Sequence, residues 1–307
     1  GAVPYIADKF DAPIICTPYT AEVIKSILKE DRIKLNNEIK TVNVNSFYNL
    51  SDDVKVELVH ITHSIPQSTL VAIHTKYGII LYANDFKLDL HPTLGKIPDF
   101  KKLEELGKQG VIALIVESTY ADDPRKMPSE QVAKEMLKDL MLGTNSKDSL
   151  IVVTTFSSHI ARLKSIIEFS KILNRKVVFL GRSLFNYVMS AEKSGIVKFS
   201  EEVELVGYRS LVKKKLRDIE KNGRGNYLIV CTGNQGEPDA ILTRMASQKD
   251  IHFEFLPNDI IIFSCRTIPT EMTIKNRENL EKKLGQFHVR IFKDIHVSGH
   301  AAREDHR

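Results

Sequence analysis

The chain lacks the signals that mark several large classes of protein. It has three cysteines in 307 residues and no CxxC pair. Each of Cys16, Cys231 and Cys265 lies in or beside an apolar run, which predicts buried strand thiols in a reducing, cytoplasmic compartment rather than a disulfide framework. No apolar run approaches the roughly 18 residues of a transmembrane helix, and no signal peptide is recognisable, so we expect neither membrane insertion nor export.

Two nucleotide-binding signatures are also absent. No GxGxxG follows a predicted strand and GxxxxGK[ST] does not occur, which argues against a dinucleotide site or a P-loop. Hydrophobic residues make up 42% of the chain and charged residues 27%, as in an ordinary globular protein long enough for two domains. The net charge of +5 is compatible with a polyanionic partner, although a lysine-rich surface is often only solvated.

Short apolar runs alternate with amphipathic stretches along the chain, which predicts an α/β protein. The predicted strands are 13–16, 54–61, 70–75, 78–83, 112–117, 150–154, 176–180, 227–231, 259–263 and 288–292. The predicted helices are 21–28, 129–142, 158–173, 183–194, 239–246 and 271–284. Strands follow one another directly between 52 and 83, as in an antiparallel layer. Strands and helices alternate between 150 and 284, as in a doubly wound parallel sheet.

Several side chains with useful chemistry follow predicted strands, where α/β sheets bind their ligands. They are His63, Asp85, Glu117, and the pair His296 and His300. A histidine and a carboxylate at neighbouring strand ends can share one divalent ion, since imidazole suits zinc and a carboxylate can bridge two ions. A lone histidine is more often a loop or core residue, and an aspartate after a strand is usually a turn former. From spacing alone, metal ligation, catalysis and a structural turn all stay open.

Two loops that join a strand to a helix are candidate phosphate sites. TTFSSH (154–159) offers hydroxyl groups and amides, and CTGNQGEP (231–238) has two glycines that permit close backbone approach. Free amides at a helix start favour an anion. N-capping by Ser157 or Ser158 explains the serines adequately, but it does not explain two such loops in one predicted sheet.

Eight stretches resemble, in the same order, motifs of the ribonuclease J family, in particular of its archaeal type. They are GAVPYIADKFDAPIICTP, THSIPQST, DFKLD, ESTYAD, TFSSHIARL, GRSL, CTGNQGEPDAILTRMA and HVSGHAAREDH. The resemblance spans essentially the whole chain. It implies a metallo-β-lactamase αββα sandwich interrupted by an inserted, doubly wound β-CASP domain. We expect the metallo-β-lactamase domain at 1–125 and 295–307, and the β-CASP domain at 126–294.

The resemblance also implies a site with two Zn²⁺ ions. By position in the motifs, His63 is a ligand of one zinc and Asp85 is the carboxylate that bridges the two. Glu117 corresponds to the acidic residue of the first β-CASP motif and His300 to the histidine of the second. The implied reaction is hydrolysis of a phosphodiester by metal-activated water, with His300, held by Glu117, protonating the 3′-oxygen that leaves.

The implied substrate is single-stranded RNA, preferably with a 5′-monophosphate, degraded from 5′ to 3′ with some endonuclease activity. Because two glycine- or serine-rich loops join strands to helices in one predicted sheet, we predict RNA or phosphate contacts for Ser157, Ser158, His159, Arg182, Gly233, Asn234, Gln235, Gly236, His296 and Ser298. The oligomeric state stays open, and a homo-oligomer is compatible with the sequence.

The chain departs from the family pattern in three places. It contains no HxHxDH zinc motif and no later HGE-like stretch, and Asn84 stands where the family has glycine. We expect that the N- and C-terminal ends of the family are missing from this sequence, and that this stretch alone binds zinc poorly and is inactive. An inactive paralogue is the competing explanation.

Two other functions are compatible with these motifs. One is a different β-CASP RNA cleavage factor, against which the CTGNQGEP loop argues. The other is a metal-free RNA-binding paralogue that uses the same folds. Zinc content separates an enzyme from the metal-free alternative.

Overall fold

We describe a computed structural model of the chain that covers residues 2–248, 251 and 253–307. The strands are β1 (Ile14–Cys16), β2 (Ile39–Thr41), β3 (Phe47–Asn49), β4 (Lys55–His60), β5 (Thr69–Thr75), β6 (Gly78–Ala83), β7 (Val111–Val116), β8 (Ile151–Thr154), β9 (Lys176–Leu180), β10 (Glu204–Val206), β11 (Tyr227–Cys231), β12 (Ile260–Phe263) and β13 (Arg290–Phe292). The α-helices are α1 (Val3–Ile6), α2 (Pro18–Asp31), α3 (Phe100–Gln109), α4 (Glu130–Gly143), α5 (Ile160–Ile172), α6 (Arg182–Lys193), α7 (Arg209–Lys221), α8 (Ile241–Ser247), α9 (Glu271–Gly285) and α10 (Arg303–His306). None of the helices in the described residues combines the length and the apolar character needed to cross a membrane.

The chain forms two compact units, and the first contains residues up to Gln131 together with Ser190–Ile196 and Ser298–Arg307. Its main sheet has the order β3-β4-β5-β6-β7. Neighbours from β3 to β6 are antiparallel, and β6 and β7 are parallel. The antiparallel layer predicted between 52 and 83 is therefore confirmed. Val59, Ile61 and Leu70 belong to the apolar cluster that packs this unit.

The second unit, Val132–Met189 with Val197–Val297, contains a six-stranded sheet in the order β10-β9-β11-β8-β12-β13. All its neighbouring strands are parallel. β8, β11 and β12 are buried along their whole length, which explains why the sequence shows continuous apolar runs there instead of alternation. A helix follows each strand from β8 to β12, so the predicted parallel α/β sheet is confirmed.

The structure divides the chain after Gln131 and after Val297, whereas the sequence predicts domain boundaries after residues 125 and 294. The segment 121–128, rich in proline and charge, lies inside the first unit. The sequence does not anticipate that Ser190–Ile196 groups with the first unit. All three cysteines are buried and free, as predicted.

Candidate metal and catalytic site

The topology of the first unit brings the carboxyl ends of three strands to one edge of the sheet. β4 and β6 both pair antiparallel with β5 and so run in the same direction, and β7 is parallel to β6. His63, Asp85 and Glu117 follow these three strands in turn. The loops after β4 and β6 also pair, because the amide of Lys87 donates to the carbonyl of Thr62 at 2.8 Å.

His63 is held in one orientation at this edge. Its Nδ1 donates to the carbonyl oxygen of Gly299 at 2.8 Å, which leaves Nε2 with the lone pair. Nε2 lies 4.0 Å from Oδ2 of Asp85. Burial lowers the pKa of His63, although the bond to Gly299 opposes this, so the ring is neutral at neutral pH. Metal ions are bound by neutral imidazoles, in which one nitrogen ligates the ion and the other donates a hydrogen bond, often to a backbone carbonyl.

Any residue larger than glycine at position 299 would require Ser64 and His63 to shift. A Cβ atom there would lie 2.1 Å from Oγ of Ser64 and 2.9 Å from Nδ1 of His63. The backbone after Ser298 therefore approaches His63 closely because the SGH sequence places a residue without a side chain at the point of contact.

His300 forms a pair with Glu117. Nδ1 of His300 lies 2.9 Å from Oε1 of Glu117, and the amide of Thr119 donates to Oε2 at 3.0 Å. Burial raises the pKa of the Glu117 carboxyl, but the hydrogen bonds from Thr119 and the contact with His300 outweigh it, and the pKa lies below its usual value. Glu117 is thus ionised at neutral pH and accepts the Nδ1 proton of His300. Nε2 of His300 is left to exchange a proton or to bind a metal.

The donor atoms of His63, Asp85 and His300 all lie within 4.8 Å of one another. Two atoms bound to one tetrahedral zinc ion at about 2 Å each lie roughly 3.3 Å apart, so the 4.0 Å between Nε2 of His63 and Oδ2 of Asp85 has to shorten slightly when a metal binds. The Asp85 side chain is 52% exposed, so its rotation can shorten that distance. Imidazole and carboxylate donors suit Zn²⁺ and related ions. The residues present therefore fit a divalent metal, with His300 as a further ligand or as a proton donor beside it.

Lys87 is a residue of this site that the sequence reading did not single out. Its ammonium group donates to the carbonyl of Ser298 at 3.1 Å, and its side chain is only 4% exposed. Lysine is rarely buried without a partner. The sequence contains a signal for this burial, because Lys87 stands between the apolar residues Phe86 and Leu88 shortly after strand β6.

The loops predicted to bind phosphate lie at one edge of the second sheet. β8, β9 and β11 are parallel neighbours, and their last residues, Thr154, Leu180 and Cys231, pair in register. The loops after these strands therefore begin side by side. The hydroxyl group of Ser157, in the loop after β8, lies 3.0 Å from that of Ser183, in the first turn of α6 after β9.

Some of the residues assigned to RNA binding use their side chains inside these loops. His159 is buried, and its Nδ1 accepts from the amide of Arg162 at 3.3 Å. The Gln235 amide group donates to the carbonyl of Arg266 and accepts from the amide of Ile268, both at 2.9 Å. Asn234 is also buried. The side chains of His159 and Gln235 thus hold their loops together, whereas Nδ2 of Asn234 has no hydrogen-bond partner among the described residues.

Other assigned residues lie nearer the surface. Ser157, Ser158 and His296 are half-buried and Arg182 is exposed, all within the second unit, whereas half-buried Ser298 belongs to the first. Gly233 and Gly236 are buried, and Gly236 has a φ of +75° with its Cα packed against the backbone of Asn276. RNA contact by these residues stays a prediction.

Arg162, in the helix after the serine-rich loop, is a fully buried cation in the second unit. Its guanidinium donates to the carbonyl and hydroxyl of Ser264, at 3.1 and 2.7 Å, and to the carbonyl of Ile295 at 3.0 Å. It thereby ties the ends of β12 and of the segment after β13 to α5.

We expect Arg162→Met to lower the free energy of unfolding by about 1–3 kcal/mol, because buried carbonyls then lose a donor. Lys164→Met, on the exposed side of the same helix, should change it by less than about 0.5 kcal/mol. Denaturant unfolding of the two variants measures the difference. Equal stabilities would contradict a structural role for the Arg162 bonds.

The chain is similar in sequence or in fold to several known proteins. The family model described as "Ribonuclease J, beta-CASP domain" matches residues 148–280. The chain is 43% identical to ribonuclease J of Methanocaldococcus jannaschii and 42% identical to that of Pyrococcus abyssi, over 100% of this chain and 68% of each relative. It is also similar to the crystal structure of a protein of unknown function from Enterococcus faecalis V583, with a TM-score of 0.62, 18% identity and coverage of 95% of this chain and 66% of that one. This last similarity concerns the fold alone.

Proposed function

This chain belongs to the ribonuclease J family, and we propose that the protein is a zinc-dependent enzyme that hydrolyses the phosphodiester bonds of single-stranded RNA. Its fold is the metallo-β-lactamase/β-CASP fold that the sequence predicts, given the family match and the mixed α/β architecture. We assign the β-CASP domain to 126–294, around the matched residues 148–280. The flanking parts, 1–125 and 295–307, are assigned to the metallo-β-lactamase domain.

One observation carries the proposal of metal dependence. Nε2 of His63 lies 4.0 Å from Oδ2 of Asp85, and the hydrogen bond from Nδ1 of His63 to Gly299 presents Nε2 as a ligand. When bound there, zinc would supply Lewis-acid activation of water and of the phosphate. The donor chemistry favours zinc over magnesium or calcium, which prefer oxygen ligands.

The residues of the chain supply the remaining chemistry. The 3′-oxygen of RNA leaves poorly as an alkoxide, so a proton donor is needed. His300 is suited because a protonated imidazole can donate a proton to the leaving oxygen. The ionised Glu117 carboxylate fixes the ring through Nδ1, so that the proton to be transferred resides on Nε2.

Metal removal tests the proposed function directly. In the full-length protein, dialysis against a chelator should abolish cleavage of a labelled RNA, and adding Zn²⁺ should restore it. Metal content measured by mass spectrometry on the same samples should rise and fall with activity. A protein that binds RNA but never cleaves it, with or without metal, would instead be the metal-free RNA-binding paralogue.

We further propose that the enzyme works from 5′ to 3′ and recognises a 5′-monophosphate. The support is the set of strand-to-helix loops that begin side by side at the carboxyl ends of β8, β9 and β11, because α/β sheets bind ligands at that position. Ser158 and Gly233 belong to two of these loops.

Wild-type protein should therefore degrade 5′-monophosphorylated RNA faster than 5′-hydroxyl RNA of the same sequence. Ser158→Leu should reduce that preference by about 10-fold or more, because the bulky side chain blocks a charge-assisted contact worth about 1.5–3 kcal/mol. Ile172→Leu, at an exposed position of the same unit, is the control. If wild type and variant both degrade the 5′-monophosphorylated and the 5′-hydroxyl RNA at equal rates, the proposed pocket for a 5′-phosphate does not exist.

A further inference from the structure

Lys87 joins the three segments that carry the candidate metal ligands. Along the chain it lies two residues after Asp85. Its backbone pairs with Thr62, the neighbour of His63, because its amide donates to the Thr62 carbonyl at 2.8 Å and its own carbonyl accepts from the Thr62 hydroxyl. Its ammonium reaches the carbonyl of Ser298, in the segment that leads to His300.

The ammonium group is held on two sides. Besides the Ser298 carbonyl at 3.1 Å, it has the carboxylate of Asp89 at 3.6 Å. That carboxylate is itself fixed, because it accepts the amides of His91 at 2.9 Å and Glu130 at 2.7 Å. The side chains of Lys87 and Asp89 are 4% and 3% exposed. A buried lysine with this pairing cannot turn to another partner without leaving a charge unsatisfied.

The Ser298 carbonyl is a sensitive point of attachment. The next carbonyl, of Gly299, orients His63 through Nδ1, and the next residue is His300. The Ser298 hydroxyl also accepts the amide of His300 at 3.2 Å. A shift of Ser298 therefore moves the ring of His300, whereas His63 and Asp85 are also positioned by strands β4 and β6, which they follow.

We propose that Lys87 is a positioning residue that sets the placement of His300 relative to the His63–Asp85 pair. The proposal rests on the proposed function, since it concerns the proton donor of that reaction. Lys87 itself touches neither substrate nor metal. It acts through the Ser298 carbonyl, and it contributes to the rate only as far as His300 must be aligned with the departing oxygen.

The test uses full-length protein and two RNA substrates. One is ordinary RNA; in the other, sulfur replaces the 3′-oxygen at the scissile bond and leaves without needing a proton. Lys87→Met keeps the volume of the side chain but removes the donor. On ordinary RNA we expect kcat to fall by about 10- to 10²-fold, the size expected for an alignment error, with KM and metal content unchanged. On the sulfur substrate the loss should be less than about 3-fold, because alignment of the acid matters less there.

Three further variants complete the design. Lys87→Arg retains a donor and should recover part of the rate on ordinary RNA. Lys101→Met, at an exposed lysine of the same unit, should match wild type on both substrates. Asp89→Asn keeps Lys87 but removes the charge beside it, and should show the same substrate dependence in weaker form. Asp89→Asn also carries the test if Lys87→Met does not fold.

The results separate the possible failures. Equal losses on both substrates, loss of metal, or wild-type rates in Lys87→Met would each overturn the positioning role. Wild-type protein that cleaves neither substrate in the presence of zinc would instead overturn the proposed function, independently of Lys87.

Discussion

Asp85→Asn should remove most of the bound metal from the full-length protein and lower RNA cleavage by about 10³-fold or more. The amide keeps the size of the side chain but lacks the negative charge that makes Asp85 a ligand able to bridge two ions. Metal activation supplies several kcal/mol of transition-state stabilisation, and each 1.36 kcal/mol corresponds to a tenfold change in rate. Metal content and single-turnover cleavage should be measured on the same preparation.

A matched control separates the loss of a ligand from a general change of charge. Asp52→Asn alters an exposed aspartate of the same unit and should retain both metal and activity. The Asp85 side chain is itself 52% exposed, so its replacement should leave the melting temperature of the metal-free protein nearly unchanged. Full metal content together with wild-type cleavage in Asp85→Asn would show that Asp85 is not a ligand.

The sheets could be predicted because their strands carry strong local patterns. β8, β11 and β12 are continuous apolar runs, and β6 and β9 have the predicted limits. The predicted helices omit α3 and α7, although apolar residues recur at helical spacing in both: Phe100, Leu103 and Leu106 in α3, and Val212, Leu216 and Ile219 in α7. β2, β3 and β10 have three residues each, too few to show alternation. Their position depends on neighbouring strands rather than on their own sequence.

The members of the candidate site could be named from motifs, but their mutual geometry could not. His63 and Gly299 are 236 residues apart in sequence, and nothing local indicates that one donates to the other. The same holds for the 211 residues between Lys87 and Ser298. Histidine, aspartate and glycine at strand ends are visible in a sequence because their chemistry is distinctive. A buried lysine that holds a carbonyl resembles a surface lysine until its apolar neighbours are considered.

The hydrogen bond between His300 and Glu117 is compatible with two roles for His300, that of a general acid and that of a metal ligand. Its bond to Glu117 at 2.9 Å orients a general acid, but the same bond occurs where a carboxylate supports a histidine that ligates a metal. We favour the acid, because the leaving oxygen requires a proton and no other histidine within the described residues lies with His63 and Asp85 in the same donor group. The two roles predict different results when His300 is replaced. Loss of a ligand removes bound metal together with RNA cleavage, whereas loss of the acid removes RNA cleavage alone.

His300→Ala should therefore lower cleavage of ordinary RNA by about 10²- to 10⁴-fold, the usual contribution of a general acid, with metal content and melting temperature retained. RNA with sulfur at the scissile 3′ position should be cleaved nearly as fast as by wild type, because its leaving group needs no proton. Glu117→Gln should give a smaller loss on ordinary RNA, since the amide can still contact Nδ1 but no longer stabilises the protonated ring. His91→Ala, outside the donor group, is the control and should keep the wild-type rate. If the rate of His300→Ala disappears together with bound metal, and the sulfur substrate is cleaved no better, His300 is a ligand rather than the acid.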